Sequence, residues 1–169
     1  RALELFANNL SSNLKLNPRA RLQLPNPKFI ILEEDVKFFE QVSTALMIQK
    51  LEQKWIVVIE SDPGIWKTES CRFIAWTTNR EIERVQCSKM DPSDLFFSPQ
   101  LKAWETTRKP AEWIKLMQKP GTMILFDEWD KLTPQCFERL HSLLDNARTI
   151  YDPQIWSIRA NEDCLFIAA

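Results

Sequence analysis

Apolar residues follow two kinds of pattern along the chain. Between Glu33 and Leu51 they recur mostly every three or four positions (Val36, Phe39, Val42, Leu46, Met47, Leu51). That spacing predicts an amphipathic helix with this stripe inward. Trp55–Glu60, Thr122–Asp127 and Cys164–Ala169 are continuous instead. Unbroken runs of that length predict strands covered on both faces, as in a parallel sheet. Between them, a helix is predicted from Thr68 to about Asn79 and a short strand over Arg84–Ser88. Asp91-Pro-Ser-Asp is a possible helix start within the ambiguous stretch 91–119. Lys109–Met117, with Pro110 near its start, predicts a helix that Lys119-Pro-Gly breaks. Thr133 as N-cap and Pro134 at the first helical position open another, burying Phe137, Leu140, Leu143 and Leu144. Thr149–Ala160 predicts a hairpin or extended excursion. Residues 1–28 are polar and predict an N-terminal helix and linker, and residues 29–169 a single core. Strands alternating with helices predict an α/β fold with a mostly parallel sheet.

Composition removes several classes of function. With 44% apolar and 27% charged residues the chain reads as a soluble globular protein. A net charge of −1 creates no general attraction to nucleic acid or an anionic membrane. No apolar run is long enough to span a bilayer, so neither nucleic acid nor membrane is an expected partner. Lys15, Arg19 and Arg21 predict a solvated basic face. Cys71, Cys87, Cys136 and Cys164 are scattered without a Cys-x-x-Cys pair, which predicts reduced, mostly buried thiols and a cytoplasmic setting. Glycine is scarce, with two residues, and tryptophan abundant, with seven; Trp66 and Trp156 stand where glycine is expected.

Two segments carry the candidate chemistry. A buried strand leads into Ser61-Asp-Pro-Gly-Ile-Trp-Lys-Thr68 and then a helix. A loop of this kind presents backbone N–H groups and a helix N-terminus to phosphate. Asp62, Pro63, Gly64, Ile65, Trp66, Lys67, Thr68 and Glu69 are its candidate binding residues, with Lys67 reaching phosphate and Thr68 a Mg²⁺ ion. Ser61 and Trp66 replace both glycines of the Gly-x-x-x-x-Gly-Lys-Thr pattern. An indole turned inward at Trp66 fills the phosphate site; one turned outward leaves it open. About sixty residues on, Met123-Ile-Leu-Phe ends in Asp127-Glu128. At the carboxyl end of a strand, where ligands gather in open α/β sheets, Asp127 is the candidate metal ligand and Glu128 the candidate general base. His141 predicts a surface or packing residue rather than a catalyst.

In that order these segments resemble the Walker A and Walker B elements of a nucleoside-triphosphatase. The resemblance extends over residues 29–169, which look like the large subdomain of an AAA+ ATPase of the MoxR-like and dynein/midasin-related branch. Leu125–Leu140 resembles that family's Walker B strand and following helix, Asp152–Arg159 its hairpin, and Cys164–Ala169 its first-sensor strand. The resemblance implies a three-layer αβα P-loop fold, ATP and Mg²⁺ as ligands, and catalysis by Glu128. It also implies a homo- or hetero-oligomeric ring that remodels a protein substrate or adaptor. The family's sensor asparagine, arginine finger and helical lid are expected beyond Ala169, although Arg139, Arg148 and Arg159 fall on elements that face a neighbour in such rings. The altered loop leaves two alternatives open: a pseudo-ATPase interaction scaffold, and an unrelated α/β binding module.

Overall fold

The computed structural model describes residues 19–20, 23, 26, 28–61, 66–88, 90–102, 105–153 and 156–169, without the side chains of 101, 102, 105, 106 and 156. Helix α1 (Asp35–Glu52) precedes strand β1 (Val57–Val58), helix α2 (Lys67–Thr77) and strand β2 (Glu81–Gln86). A short helix α3 (Pro92–Phe96), the hairpin β3 (Phe97–Lys102) and β4 (Glu105–Pro110), and helix α4 (Glu112–Leu116) follow. Strand β5 (Thr122–Asp127), a 3-10 turn (Trp129–Lys131), helix α5 (Pro134–Leu144), the hairpin β6 (Thr149–Asp152) and β7 (Trp156–Arg159), and strand β8 (Cys164–Ala168) complete the described elements.

The central sheet is parallel throughout, in the order β1-β8-β5-β2. β5 and β8 lie at its middle, and every residue of both is buried. Their alternating side chains feed two cores. Met123, Leu125, Leu165 and Ile167 pack with Phe39 and Leu46 of α1 and Cys71 and Ile74 of α2. Ile124, Phe126, Phe166 and Ala168 pack on the opposite side with Trp113 of α4 and Leu140 and Leu143 of α5. Each such large side chain contributes about 1.5–3 kcal/mol by leaving water. The result is the mostly parallel α/β sheet expected from the alternating pattern, in the three-layer αβα arrangement that the resemblance implied.

β1 departs from expectation. The apolar run Trp55–Glu60 predicts a strand covered on both faces, yet only Val57 and Val58 form ladder pairs, both with β8, and Val58 is 45% exposed. The strand stands at the edge of the sheet, and a side chain replaces its missing length. The buried Gln49 of α1 donates to Phe166 O and accepts from Phe166 N–H, both at 2.7 Å, satisfying the backbone where β1 does not reach. Gln23 does the same on the opposite edge, bonding both backbone groups of Ile82 at 2.9 Å.

Three smaller expectations are also corrected. Leu51 and Phe137 are exposed rather than inward: each lies off its helix's buried stripe, and Phe137 packs its ring on Trp129 instead. The second strand begins at Glu81, three residues earlier than expected. Pro110 closes β4 instead of opening a helix, so α4 is confined to Glu112–Leu116. Thr133 caps α5 as predicted, accepting from Cys136 N–H. All four cysteines are free and buried. Among the described residues no helix is long and apolar enough to cross a membrane.

Candidate functional site

The carboxyl ends of the strands bring the two sequence segments together. Asp127 ends β5 with its side chain almost covered, and burying a carboxylate demands partners. It has three. The Thr68 hydroxyl, in the first turn of α2, donates to Oδ2 at 3.2 Å. The Nε–H of Arg84 on β2 donates to the same oxygen at 2.6 Å. The backbone N–H of Glu128 donates to Oδ1 at 3.0 Å. β2 and β5 run parallel with Gln86 opposite Asp127, so Arg84 shares a face with Asp127 and reaches along it.

Glu128 leaves the strand with φ 56°, a left-handed value that is strained for a non-glycine residue and typical of functional turns. The turn is pinned from behind: Ala169 N–H donates to Phe126 O, and Trp129 N–H to Ala169 O. The Glu128 carboxylate is exposed and ion-paired to Lys131 at 3.1 Å. The Ser88 hydroxyl first, then Lys131 and Gln86, hold its carboxyl below the ordinary glutamate value. It is therefore ionised at neutral pH, the state a general base needs.

Asp62, Pro63, Gly64 and Ile65 lie outside the described residues. Lys67 is described, its ammonium 3.5 Å from the carbonyl of Ser61. Glu69 is turned to Arg72, at 3.7 Å, and accepts from the backbone N–H of Asn26. Trp66 adopts φ −68°, a value any residue takes, so its backbone incurs no glycine-specific strain. Its indole is 50% exposed and meets the Phe29 ring at 6.3 Å. With Phe29, Phe38 and Ser70 it lines a 380 Å³ groove beside α1. Thr68, two residues on, faces Asp127 instead. Of the two placements open in the sequence, the indole takes the outward one.

The donor set suits a hard cation: hydroxyl and carboxylate oxygens lie within 3.2 Å of each other at a helix start. Among the described residues no group of three or more His, Cys, Asp or Glu forms a metal cluster of its own. A cation here would share its coordination with a bound phosphate, as Mg²⁺ commonly does.

The three arginines singled out in the sequence divide. Arg148 is buried, donates to the carbonyls of Asn161 and Cys164, and lies over the Phe166 ring, so it is a core residue that reaches no neighbour. Arg139 is tied to Asp152 at 2.9 Å, and Arg159 is exposed. His141 is exposed, as expected. Sequence reasoning missed Arg84, Ser88, Gln86 and Lys131. The available signal for Arg84 was strand parity: a residue two before the one paired with Asp127 points to the same side.

Comparison with known proteins agrees with this geometry. A match to the AAA domain (dynein-related subfamily) spans residues 56–169. Midasin of Giardia intestinalis is 30% identical over 112 residues, which are 66% of this chain and 2% of that protein. The chain thus spans a small fraction of the curated relative it matches. A solved structure of a RuvB mutant from Thermotoga maritima superposes with a TM-score of 0.52 at 16% identity. It covers 91% of this chain and 42% of that one, a likeness of fold.

Proposed function

The chain belongs to the AAA domains of the dynein-related subfamily, nucleotide-binding modules of ATPase type, and on that premise we propose that it binds ATP with Mg²⁺ and hydrolyses it. The observation that carries the reading is the 3.2 Å hydrogen bond between Thr68 and Asp127, which joins two segments far apart in sequence at the carboxyl edge of the sheet. Thr68 and Asp127 would hold Mg²⁺, and Lys67 the phosphates. The ion, when bound, neutralises charge on the phosphate oxygens. Glu128 would orient the attacking water and take its proton. Asp62 to Trp66 and Glu69 would complete the loop around the phosphates. The outward indole supports an open phosphate site, and the groove that it lines offers apolar space to a nucleobase.

Members of this broad family commonly assemble into rings. We place this chain in a homo- or hetero-oligomeric ring, with residues 29–169 as its nucleotide-binding core and residues 1–28 as a leading segment. There hydrolysis would drive remodelling of a protein partner. A neighbouring subunit would supply an arginine to the phosphates.

Calorimetric titration with Mg·ATP tests the reading. Binding by the parent chain that Lys67→Ala loses is the expected result. A folded parent that takes up no heat from Mg·ATP overturns it and leaves a fold kept as an interaction scaffold.

A further inference from the structure

Asp127 Oδ2 has two suitors. It faces Thr68, where a cation would sit, yet its shortest bond is to Arg84 Nε, at 2.6 Å. A guanidinium and a divalent cation cannot both press on one oxygen without repelling each other. The arginine has somewhere to go. Its side chain is 47% exposed and borders a 320 Å³ cleft with Gln23, Arg72, Ile82, Glu83 and Leu125.

We propose that Arg84 is a stand-in for the divalent cation: it neutralises Asp127 while the metal is absent and withdraws into the solvent-open cleft when the metal enters. The proposal rests on the reading of Thr68 and Asp127 as cation ligands. It makes Arg84 a positioning residue that acts through Asp127. Cation affinity is then the difference between two states of one carboxylate rather than the property of an empty cage. A gain of affinity on neutralising Arg84 is the sign of that exchange, which a purely structural role for Arg84 would not give.

The test is titration of the whole chain with Mn²⁺ alone, followed by the electron paramagnetic resonance signal of the free ion. Removing a competing unit charge at this distance gives Arg84→Met an expected gain of about tenfold in Mn²⁺ affinity. Arg84→Lys, which keeps the charge, stays near the parent. Asp127→Asn in the Arg84→Met background abolishes the gain. If the methionine variant fails to fold, Arg84→Gln is read in its place with the same expected sign. Neutral variants at Arg84 that bind Mn²⁺ no more tightly than the parent overturn the proposal. Nucleotide is absent from this titration. A chain that fails to bind Mg·ATP therefore leaves the result standing, and failure here leaves Mg·ATP binding intact.

Discussion

An aspartate and an arginine meet at each end of the central sheet, and the two pairs are built differently. At the amino ends of the strands, Asp163 bonds Arg80 at 2.9 Å, Lys50 at 3.0 Å and the N–H of Gly121 at 2.9 Å. Arg80 is fully buried there and also donates to the carbonyls of Asp163 and Thr122. At the carboxyl ends, Asp127 bonds Arg84, whose side chain is half exposed beside a cleft. The first arrangement is a closed staple across the sheet. The second leaves its cation free to be exchanged. The same two residue types thus serve as structure or as site, according to how much water and space surround the guanidinium.

The sharpest way to separate the two ends is to alter chemistry at one and stability at the other. Glu128→Gln should lower ATP turnover by about 10²–10⁴-fold, the usual contribution of a general base. Mg·ATP binding measured by calorimetry should remain. A variant that still turns over at the parental rate removes Glu128 from the mechanism.

Next in size is the staple. Asp163→Ala leaves a buried arginine without its counter-ion and should cost about 3–5 kcal/mol in urea unfolding. Arg84→Met at the other end should cost about 1 kcal/mol, as for an exposed pair. Equal losses would erase the distinction drawn here.

Gln49→Leu tests the edge rather than the ends. It strips both backbone groups of Phe166 of their partner and should cost about 1–3 kcal/mol. A smaller effect is expected in acid. Burial alone would raise the Asp163 carboxyl, but Arg80 and then Lys50 more than offset it and hold it below the ordinary value. A carboxyl depressed in the folded state stabilises above its unfolded pKa, about 3.9 for aspartate, and that contribution is lost as pH falls through the folded value. The stability difference between the parent and Asp163→Asn should therefore shrink as pH falls below about 4. A difference that stays constant from pH 7 to pH 3 would show that the charge of Asp163 is not what matters.

Much of this architecture was legible in one dimension. β5 and β8 read correctly because both of their faces are apolar, and continuous apolar runs have no other use in a chain of this size. The start of α5 read correctly because Thr133 and Pro134 act locally, through bonds to their own helix. The hairpin 149–160 also emerged as expected. β1 did not, because an edge strand and a central strand can share one composition, and only the neighbours distinguish them. The β3–β4 hairpin was hidden for a similar reason. Its pairing from Phe97–Pro110 to Lys102–Glu105 is cross-strand, and Pro110 suits a strand end as well as a helix start. At the site, Lys67, Thr68, Asp127 and Glu128 were chosen from the motifs, and the structure joins Thr68 to Asp127. Arg84 was invisible because a lone arginine on a strand reads as solvated. Gln49 escaped notice, and Arg148 was placed on an element facing a neighbour, for a similar reason: polar residues are buried only where distant backbone awaits them.

The sheet order also sets a timetable. Among the described residues β1 finds its only ladder partner in β8, about 110 residues further along the chain, so its pairing is among the most non-local contacts described. On a ribosome, β2 and β5 can zip together while the strand that leads into Ser61 still lacks a ladder partner. That strand docks only after Cys164–Ala168 has emerged and taken its place beside β5. The strand that leads into the Lys67 loop is thus the last of the four to find its ladder partner, while α2, which opens at Lys67, can already rest on β2 and β5.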